Sequence, residues 1–409
     1  MGRNIAIVGA GQAGLQLSLG LLSNHYNVTL VTESSAQQIH DGKIFSSQAM
    51  FNEALQYERE IGIDFWQKEA PQNTSVTFTI AKPHAPEIGI SWKGLLDRPF
   101  QSVDQRLKFS RWLHEVTKRG GHVVTQKASM QTLSELTDSH DLTIVASGKG
   151  ELSKIFKRND SLSPHTSPSR SLSCLYVKGM KPIAENPGVR PTIIPGVGEY
   201  FTLPGLTQHG SCEMMLFEAL PGGPFDCWKD IRSPIQQIEK AIELLKKFIP
   251  WEAERCVNIE LSDENATLIG SYTPEIRHPV YTLDSGKSVL GMADAVVLND
   301  PIAGQGANNA SKCAKIYMDR ILSNEEYTFS NEWMNCTFDH FWKDAQWSTT
   351  LSNLLLLPPA EHIIQLLTTA SQLPKLANLI ANGFDCPRKL FPWMSSSEQT
   401  QNMISIFEN

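Results

Sequence analysis

The segment Gly9-Ala10-Gly11-Gln12-Ala13-Gly14 constrains this chain more than any other stretch. Three glycines at this spacing sit between a short apolar run with strand character at 4–8 and a helical pattern over 12–23, and a second strand is expected at 28–32. That order is a βαβ unit. Gly9 permits the tight turn, Gly11 lets the backbone approach a pyrophosphate with no side chain in the way, and Gly14 allows close helix-to-strand packing. The helix start then offers unpaired N–H groups and the positive end of its dipole to phosphate. Glu33, closing the second strand, is placed to accept from the ribose hydroxyls of an adenosine, and its charge disfavours a 2′-phosphate and hence NADP. The motif alone leaves FAD and NAD both open.

Bulk properties exclude several other classes. A formal net charge of −7 gives no basic footprint, so neither nucleic acid nor an anionic membrane surface is an expected partner. The seven cysteines are odd in number, scattered and without a CxxC pair, which suggests neither a disulfide framework nor a zinc site. The opening residues show no charged and apolar leader pattern, and the apolar run at 354–357 is cut short by Pro358 and Pro359. The expected location is the cytoplasm. No metal centre is expected.

Patterning along the chain predicts a discontinuous organisation. A helix is expected over 51–67, strands near 75–80 and 88–92, a helix over 103–119 ending at Gly120-Gly121, and further strands at 122–125 and 142–146. The Ser- and Pro-rich stretch 161–173 marks a connection. Beyond it come short strands with Gly/Pro turns up to about 272, with one amphipathic helix at 234–248. A strand at 288–292 and a helix at 307–322 return to the first unit, and the tail from about 330 is helical, with Trp333, Trp342 and Trp347 expected to pack rather than bind. The fold class is therefore α/β: a Rossmann-like nucleotide-binding domain (1–75, 101–160, 273–330), a substrate domain with a mixed sheet (76–100, 161–272) and a helical C-terminal segment (331–409).

A second motif favours flavin over nicotinamide. The strand near 290 leads into Gly291-Met292-Ala293-Asp294, followed by Asp300-Pro301-Ile302-Ala303-Gly304-Gln305-Gly306-Ala307-Asn308. Asp294 suits the hydroxyls of a ribityl chain, and backbone N–H groups at a helix start suit the ring carbonyls of a flavin. Gly304 and Gly306 let that backbone come close. A positive dipole end at the pyrimidine side also stabilises negative charge on reduced flavin.

With both motifs in view, the chain resembles the two-component flavoprotein monooxygenases of the styrene and indole monooxygenase group. The resemblance rests on Ile7-Val8-Gly9 through Leu15, Val103-Asp104-Gln105-Arg106-Leu107, Asp300-Pro301 with the glycine loop, and Leu357-Pro358-Pro359, and it spans almost the whole chain. It implies a para-hydroxybenzoate-hydroxylase-like fold and FAD, used in its reduced form. It also implies cofactor contacts from Gly9, Gly11, Gln12, Ala13, Gly14, Glu33, Ser34, Lys43, Ser47, Arg106, Asp294, Pro301, Gly304, Gln305, Gly306, Ala307 and Asn308. Lys43 stands where many relatives have arginine, and a lysine lacks the planar fork. The styrene branch resembles Asn and Val at positions 46 and 48; Ser46 and Gln48 side with the indole branch. A buried glutamine offers an amide oxygen to an indole N–H. Phe100 is a further candidate for the substrate pocket.

The chemistry implied by the resemblance needs no catalytic side chain. Only one dinucleotide fingerprint occurs, so reduced FAD is expected to come from a separate NADH-dependent flavin reductase. With O2 it would give a C4a-(hydro)peroxyflavin that epoxidises indole at C2=C3, leading to indoxyl and indigo, while the protein orients the substrate and excludes water. Three other readings stay open: a styrene, vinyl-aromatic or sulfide oxygenase, a self-sufficient aromatic hydroxylase, and a flavin-binding protein that oxygenates nothing.

Overall fold

The computed structural model describes residues 3–148, 150–183, 185–324 and 328–408. The chain opens with β1 (Asn4–Val8), α1 (Gln12–Ser23), β2 (Asn27–Thr32), α2 (Ala36–His40) and α3 (Asn52–Glu60). It leaves for β3 (Asn73–Ala81) and β4 (Ile88–Phe100), then returns through α4 (Gln105–Lys118), β5 (His122–Thr125), α5 (Met130–Ser139) and β6 (Leu142–Val145). The longer excursion holds β7 (Ser171–Lys178), β8 (Gly188–Ile194), β9 (Gly198–Thr207), β10 (Gly210–Ala219), α6 (Pro234–Phe248), α7 (Pro250–Ala253), β11 (Glu260–Leu261) and β12 (Thr267–Gly270). The chain comes back with β13 (Glu275–Ile276), β14 (Val280–Thr282), β15 (Ser288–Gly291), β16 (Val297–Leu298) and α8 (Gly306–Leu322). It ends in α9 (Asn331–Leu355), α10 (Glu361–Ala370), α11 (Pro374–Gly383), α12 (Phe391–Met394) and α13 (Ser397–Glu408).

Six strands form the first sheet, in the order β14-β15-β6-β1-β2-β5. All its pairings are parallel except β14 with β15. The chain moves from β1 outward through β2 to β5, then crosses back to place β6 on the other side of β1. The topological switch point therefore lies between β1 and β6, the place where open α/β sheets bind ligands at their carboxyl ends. The core explains why α1 reads as helical without a clean polar face: it packs against the sheet, α4 and α8, so Leu15, Leu17, Leu19 and Leu21 are all fully buried. Each contributes about 1.5–3 kcal/mol relative to exposure.

The second sheet runs β11-β7-β10-β9-β8-β3-β4, with β12 also pairing β7. It is antiparallel apart from the parallel β3–β8 pair. One face packs on α6 and α7 through Phe217, Phe225, Trp228 and Leu245, and the other end is covered by the C-terminal helices. Strand β4 is much longer than its pattern at 88–92 suggests, because its edge is covered. Asn378 and Asn382, one turn apart on α11, receive the Leu95 and Asp97 N–H groups at 2.7 and 2.9 Å, and Asn382 donates to Leu95 O at 3.0 Å. An edge that would otherwise template pairing with another chain is closed by side-chain amides.

Two local expectations differ from what forms. The helix expected over 51–67 stops at Glu60, because Gly62 takes the left-handed conformation (φ 66°) and Ile63 N bonds back to Glu58 O. Helices α2 and α5 carry no strong pattern in sequence. Each is held by a capping box, Ser35 with Gln38 and Ser129 with Thr132. Among the tryptophans, Trp333 packs edge-on against Phe329, Trp342 stacks on Phe338 and Trp347 meets Phe391 at a tilt. Among the described residues no helix is long and apolar enough to cross a membrane, and no cluster of residues suited to a metal ion occurs.

Candidate active site

The glycine turn after β1 has the form of a phosphate cradle. Gly9 sits at φ 120°, and a Cβ there would fall 2.8 Å from Ser147 at the end of β6. A Cβ on Gly14 would lie 2.0 Å from Gly9 O, so the helix can approach the strand only with glycine at that position. Gly11 is the opposite case, with nothing within 4 Å of where its Cβ would stand. Space, not close packing, is what glycine leaves at that position. Helix α1 has no side-chain cap and no acidic residue in its first turn, so its leading N–H groups at Gln12, Ala13 and Gly14 are unsatisfied by protein and available to an anion. Glu33 is exposed just past β2, and Ser34 beside it is half-buried with its N–H on Thr32 Oγ1.

Facing this turn is the loop after β15. Asp294 lies in a tight turn against Gly148, whose Cβ would come 2.4 Å from that of Asp294. The ends of β1, β6 and β15 thus bring Gly9, Ser147, Gly148 and Asp294 together. Further on, Asp300 caps the turn Pro301–Ala303 by accepting from Ile302 N at 3.1 Å. Gly304 follows at φ 64°, and neither Gly304 nor Gly306 has any atom within 4 Å of a notional Cβ. Both are exposed, and α8 begins there without a side-chain cap. A second uncapped helix start therefore looks onto open space. Two uncapped helix starts, each preceded by a glycine with room in front of it, fit a group with phosphates at one end and ring carbonyls at the other.

Three of the expected contact residues use their side chains elsewhere. Gln12 donates to Gln16 Oε1 at 3.0 Å and to Glu58 Oε1 at 2.9 Å. Gln305 donates to Ala303 O at 3.2 Å and Phe384 O at 2.9 Å. Asn308 accepts from Phe51 N at 2.8 Å and donates to Ala49 O at 2.7 Å and Gly304 O at 2.9 Å. What Gln12, Ala307 and Asn308 can offer an anion is backbone N–H. Asn308 has a second effect, because it ties the glycine loop to the segment that carries Ser46, Ser47 and Gln48.

That segment is held from several directions. Tyr176, fully buried on β7, donates from its hydroxyl to Ser46 O at 2.6 Å, and Ser46 Oγ donates to Gln105 Oε1 at 3.3 Å. Ser47 is half-buried and Lys43 exposed. Gln48 is buried, and its Nε2 donates to Val103 O while its Oε1, also buried, has no hydrogen-bond partner among the described residues. Phe100 is fully buried and packs on Phe51, ring centroids 5.3 Å apart, in a cluster with Ile44, Tyr176 and Leu203. It forms a floor beneath the segment.

Arg106 departs from the expectation that it contacts the cofactor. Its side chain is 1% exposed, and its guanidinium binds Asp104 and Asp263 at 2.7–3.2 Å and Gly42 O at 3.2 Å. Burial works against its charge, but the hydrogen bonds to Asp263 and Asp104 outweigh that and hold the group above its usual range. With every N–H direction taken by protein, no fork remains for a phosphate. Asp263 itself is held below its usual range, burial being outweighed by the bond from Arg106. Sequence reading missed Asp104, Asp263 and Tyr176 as site-building residues.

Residues 148–255 match the family model described as "Styrene monooxygenase A putative substrate binding domain". Over the full chain, the styrene monooxygenase StyA of a Pseudomonas species is 29% identical, covering 100% of this chain and 99% of its own. The protein of the same name from Pseudomonas fluorescens is 29% identical, covering 98% and 97%. Over its whole length the chain is therefore similar to styrene monooxygenase. Among solved structures, the flavin-dependent brominase Bmp2 superposes with a TM-score of 0.68 at 12% identity, covering 100% of this chain and 99% of that one. The 2-methyl-3-hydroxypyridine-5-carboxylic acid oxygenase follows with 0.62 at 16% identity, covering 95% and 98%. Likeness at that level speaks for the fold alone, which is the expected para-hydroxybenzoate-hydroxylase-like arrangement. The cofactor that goes with this relationship and this pair of helix starts is FAD.

Proposed function

We propose that this chain is a flavin-dependent monooxygenase, the oxygenase component of a two-component system, taking reduced FAD from a separate NADH-dependent flavin reductase and epoxidising indole at C2=C3. The observation that carries the substrate assignment is the buried amide of Gln48, whose Nε2 is fixed on Val103 O and whose Oε1 is left without a protein partner. A buried acceptor without a donor costs about 1–3 kcal/mol. An aromatic substrate bearing an N–H relieves that cost, and a hydrocarbon does not.

Reduced FAD, when bound, supplies the activation of dioxygen. The chain's own residues do the rest. Backbone N–H groups at Gln12 to Gly14 and at Gly306 to Asn308 hold the two ends of the cofactor, with Asp294 at its ribityl hydroxyls and Glu33 at its adenosine ribose. Gln48 orients the ring of the substrate through its N–H, and Ser46 with Ser47 borders the same segment. Indole, dioxygen and two reducing equivalents give the epoxide and water, so no nucleophile or metal is asked of the protein. Opening of the epoxide yields indoxyl, which air converts to indigo.

The test supplies the chain with FAD, NADH and a generic flavin reductase in air, with indole or styrene, and follows pigment, epoxide and NADH together. Indigo that depends on this chain supports the reading. Peroxide without oxygenated product would overturn the oxygenase assignment. A second reading, oxygenation of styrene, other vinyl aromatics or sulfides, is favoured by the names of the full-length relatives, and styrene oxide formed in preference to indigo would select it.

A further inference from the structure

Behind the glycine loop, two carboxyl groups face each other with no donor between them. Glu218, on β10, is fully buried, and neither of its oxygens receives a hydrogen bond from any donor among the described residues. Its neighbour at hydrogen-bonding range is Asp300, 3% exposed, which spends one oxygen on Ile302 N. Glu199 lies directly across from Glu218 in the β9–β10 register. Three carboxyl groups thus share a region in which, among the described residues, the guanidinium is that of Arg170. Its Nε and Nη2 are committed to Glu199 at 2.7 and 2.9 Å, and its Nη1 to Ser169 O at 2.9 Å. His165, bonded to Asn353 and Ser169, lowers Asp300 by its charge, and burial together with the charges of Asp300 and Glu218 pushes the Tyr272 hydroxyl well above its ordinary range.

If every carboxyl were ionised, two acceptors would be pressed together in a dry setting with one cation for three anions. Like charges at that range do not both ionise, as in other buried carboxyl dyads. One proton removes the repulsion and supplies the missing donor. Burial raises Glu218 well above the ordinary carboxylate range, with the charges of Asp300 and Glu199 adding to it. Asp300 is raised as well, again by burial, partly offset by the Ile302 N–H.

We propose that Glu218 and Asp300 hold one proton between them, and that this carboxyl–carboxylate bond is a positioning device clamping the turn before Gly304 and Gly306 to the second sheet. Glu218 belongs to that sheet, whereas Asp300 begins the loop proposed to border the flavin. Losing the proton puts two negative charges face to face across that boundary and releases the loop. The inference deepens the flavin reading and rests on it only for the second of the two measurements below.

The first measurement is thermal unfolding of the cofactor-free protein from pH 5.5 to 9. Groups whose folded value is raised add stability that fades as pH rises from the unfolded carboxyl value, about 4, through the folded one. Wild type is therefore expected to lose melting temperature along this range, and Glu218→Gln, which keeps a donor for an ionised Asp300, to lose much less. The second is FAD binding by fluorescence over the same range. In wild type the dissociation constant is expected to rise with pH, approaching roughly tenfold per pH unit where the proton is lost, and in Glu218→Gln to stay nearly flat. Superimposable stability profiles for the two proteins would overturn the shared proton. Flat FAD affinity in both, with the stability difference present, would overturn its link to the loop. Absence of FAD binding by wild type at every pH would overturn the flavin reading instead, leaving the stability profiles to decide the pair. Should Glu218→Gln fail to fold, Asp300→Asn removes the other half of the pair, retains a capping side chain, and carries the same expectations.

Discussion

Arg106 on α4 meets Asp263, from the loop between β11 and β12, through two parallel hydrogen bonds of 2.9 and 2.8 Å. This bidentate pair joins an element packed on the first sheet to a loop of the second, and Asp104 completes it from the other side at 2.7 Å. The same guanidinium reaches Gly42 O, and Asn265 next to Asp263 exchanges bonds with Asp41 O and Ile44 N. The segment leading to Ser46 and Gln48 is thus anchored at its root. Removing one member of a buried ion group leaves its partners charged and unpaired, at a cost of about 3–5 kcal/mol. Arg106→Met is expected to lose stability of that order in urea denaturation, and Arg106→Lys to restore only part of it because a point charge cannot serve two carboxylates in fork geometry.

The same pair gives the acid side of the stability profile a defined sign. Asp263 is held below its ordinary value in the fold, so its contribution is fully present above the unfolded value of about 3.9 and is lost as pH falls through the lower, folded value. Stability measured between pH 5 and pH 2.5 is expected to fall in wild type. In Asp263→Asn the starting stability is lower and the decline over that window shallower. Equal slopes for the two proteins would mean that other carboxylates dominate acid unfolding.

Gly11 and Gly14 make opposite demands within one motif. Alanine at position 14 would drive its Cβ to 2.0 Å from Gly9 O, and Gly14→Ala is expected to lower the melting temperature of the cofactor-free protein. Alanine at position 11 meets nothing within 4 Å, and the backbone there is extended, φ −88° and ψ −171°, which any residue adopts. Gly11→Ala is expected to cost the empty protein no more than about 1 kcal/mol while weakening FAD binding, since the methyl group takes the space in front of the helix start. Calorimetry of the free protein and fluorescence titration with FAD separate the two effects.

What was legible in the sequence is what the backbone decides locally. Glycine is required at 9 and 304 by a positive φ and at 14 by close packing, while at 11 and 306 it leaves open space before a helix start, and the 3.6-residue period of α6 marks its boundaries. The roles of Gln12, Gln305 and Asn308 were not legible. Their side chains turn inward to partners as distant as Phe51, 257 residues from Asn308, and no local pattern carries that information. Arg106 lies 157 residues from Asp263, so the cofactor contact that the resemblance implies for it could not be weighed in sequence against the carboxylate that the fold supplies. The length of β4 depended likewise on α11, whose asparagines come nearly three hundred residues later in the chain than the strand they close.

The unpartnered oxygen of Gln48 sets the sharpest expectation for specificity. Because Nε2 is fixed on Val103 O, the amide cannot turn over without losing that bond, and Oε1 presents a fixed acceptor. Valine at 48 keeps an apolar wall, removes the acceptor and leaves Val103 O without its donor. For a hydrocarbon the substitution relieves an unsatisfied polar atom, whereas for indole it removes the one contact that distinguishes the two substrates. A buried hydrogen bond left unmade is worth about 1–3 kcal/mol, and 1.36 kcal/mol corresponds to about tenfold in rate. Gln48→Val is therefore expected to shift the ratio of kcat/KM for styrene over indole upward by roughly ten- to a hundredfold, with melting temperature reported alongside to separate specificity from folding. An unchanged ratio in a folded variant would show that Gln48 serves only to brace Val103, and that the substrate is recognised by shape alone.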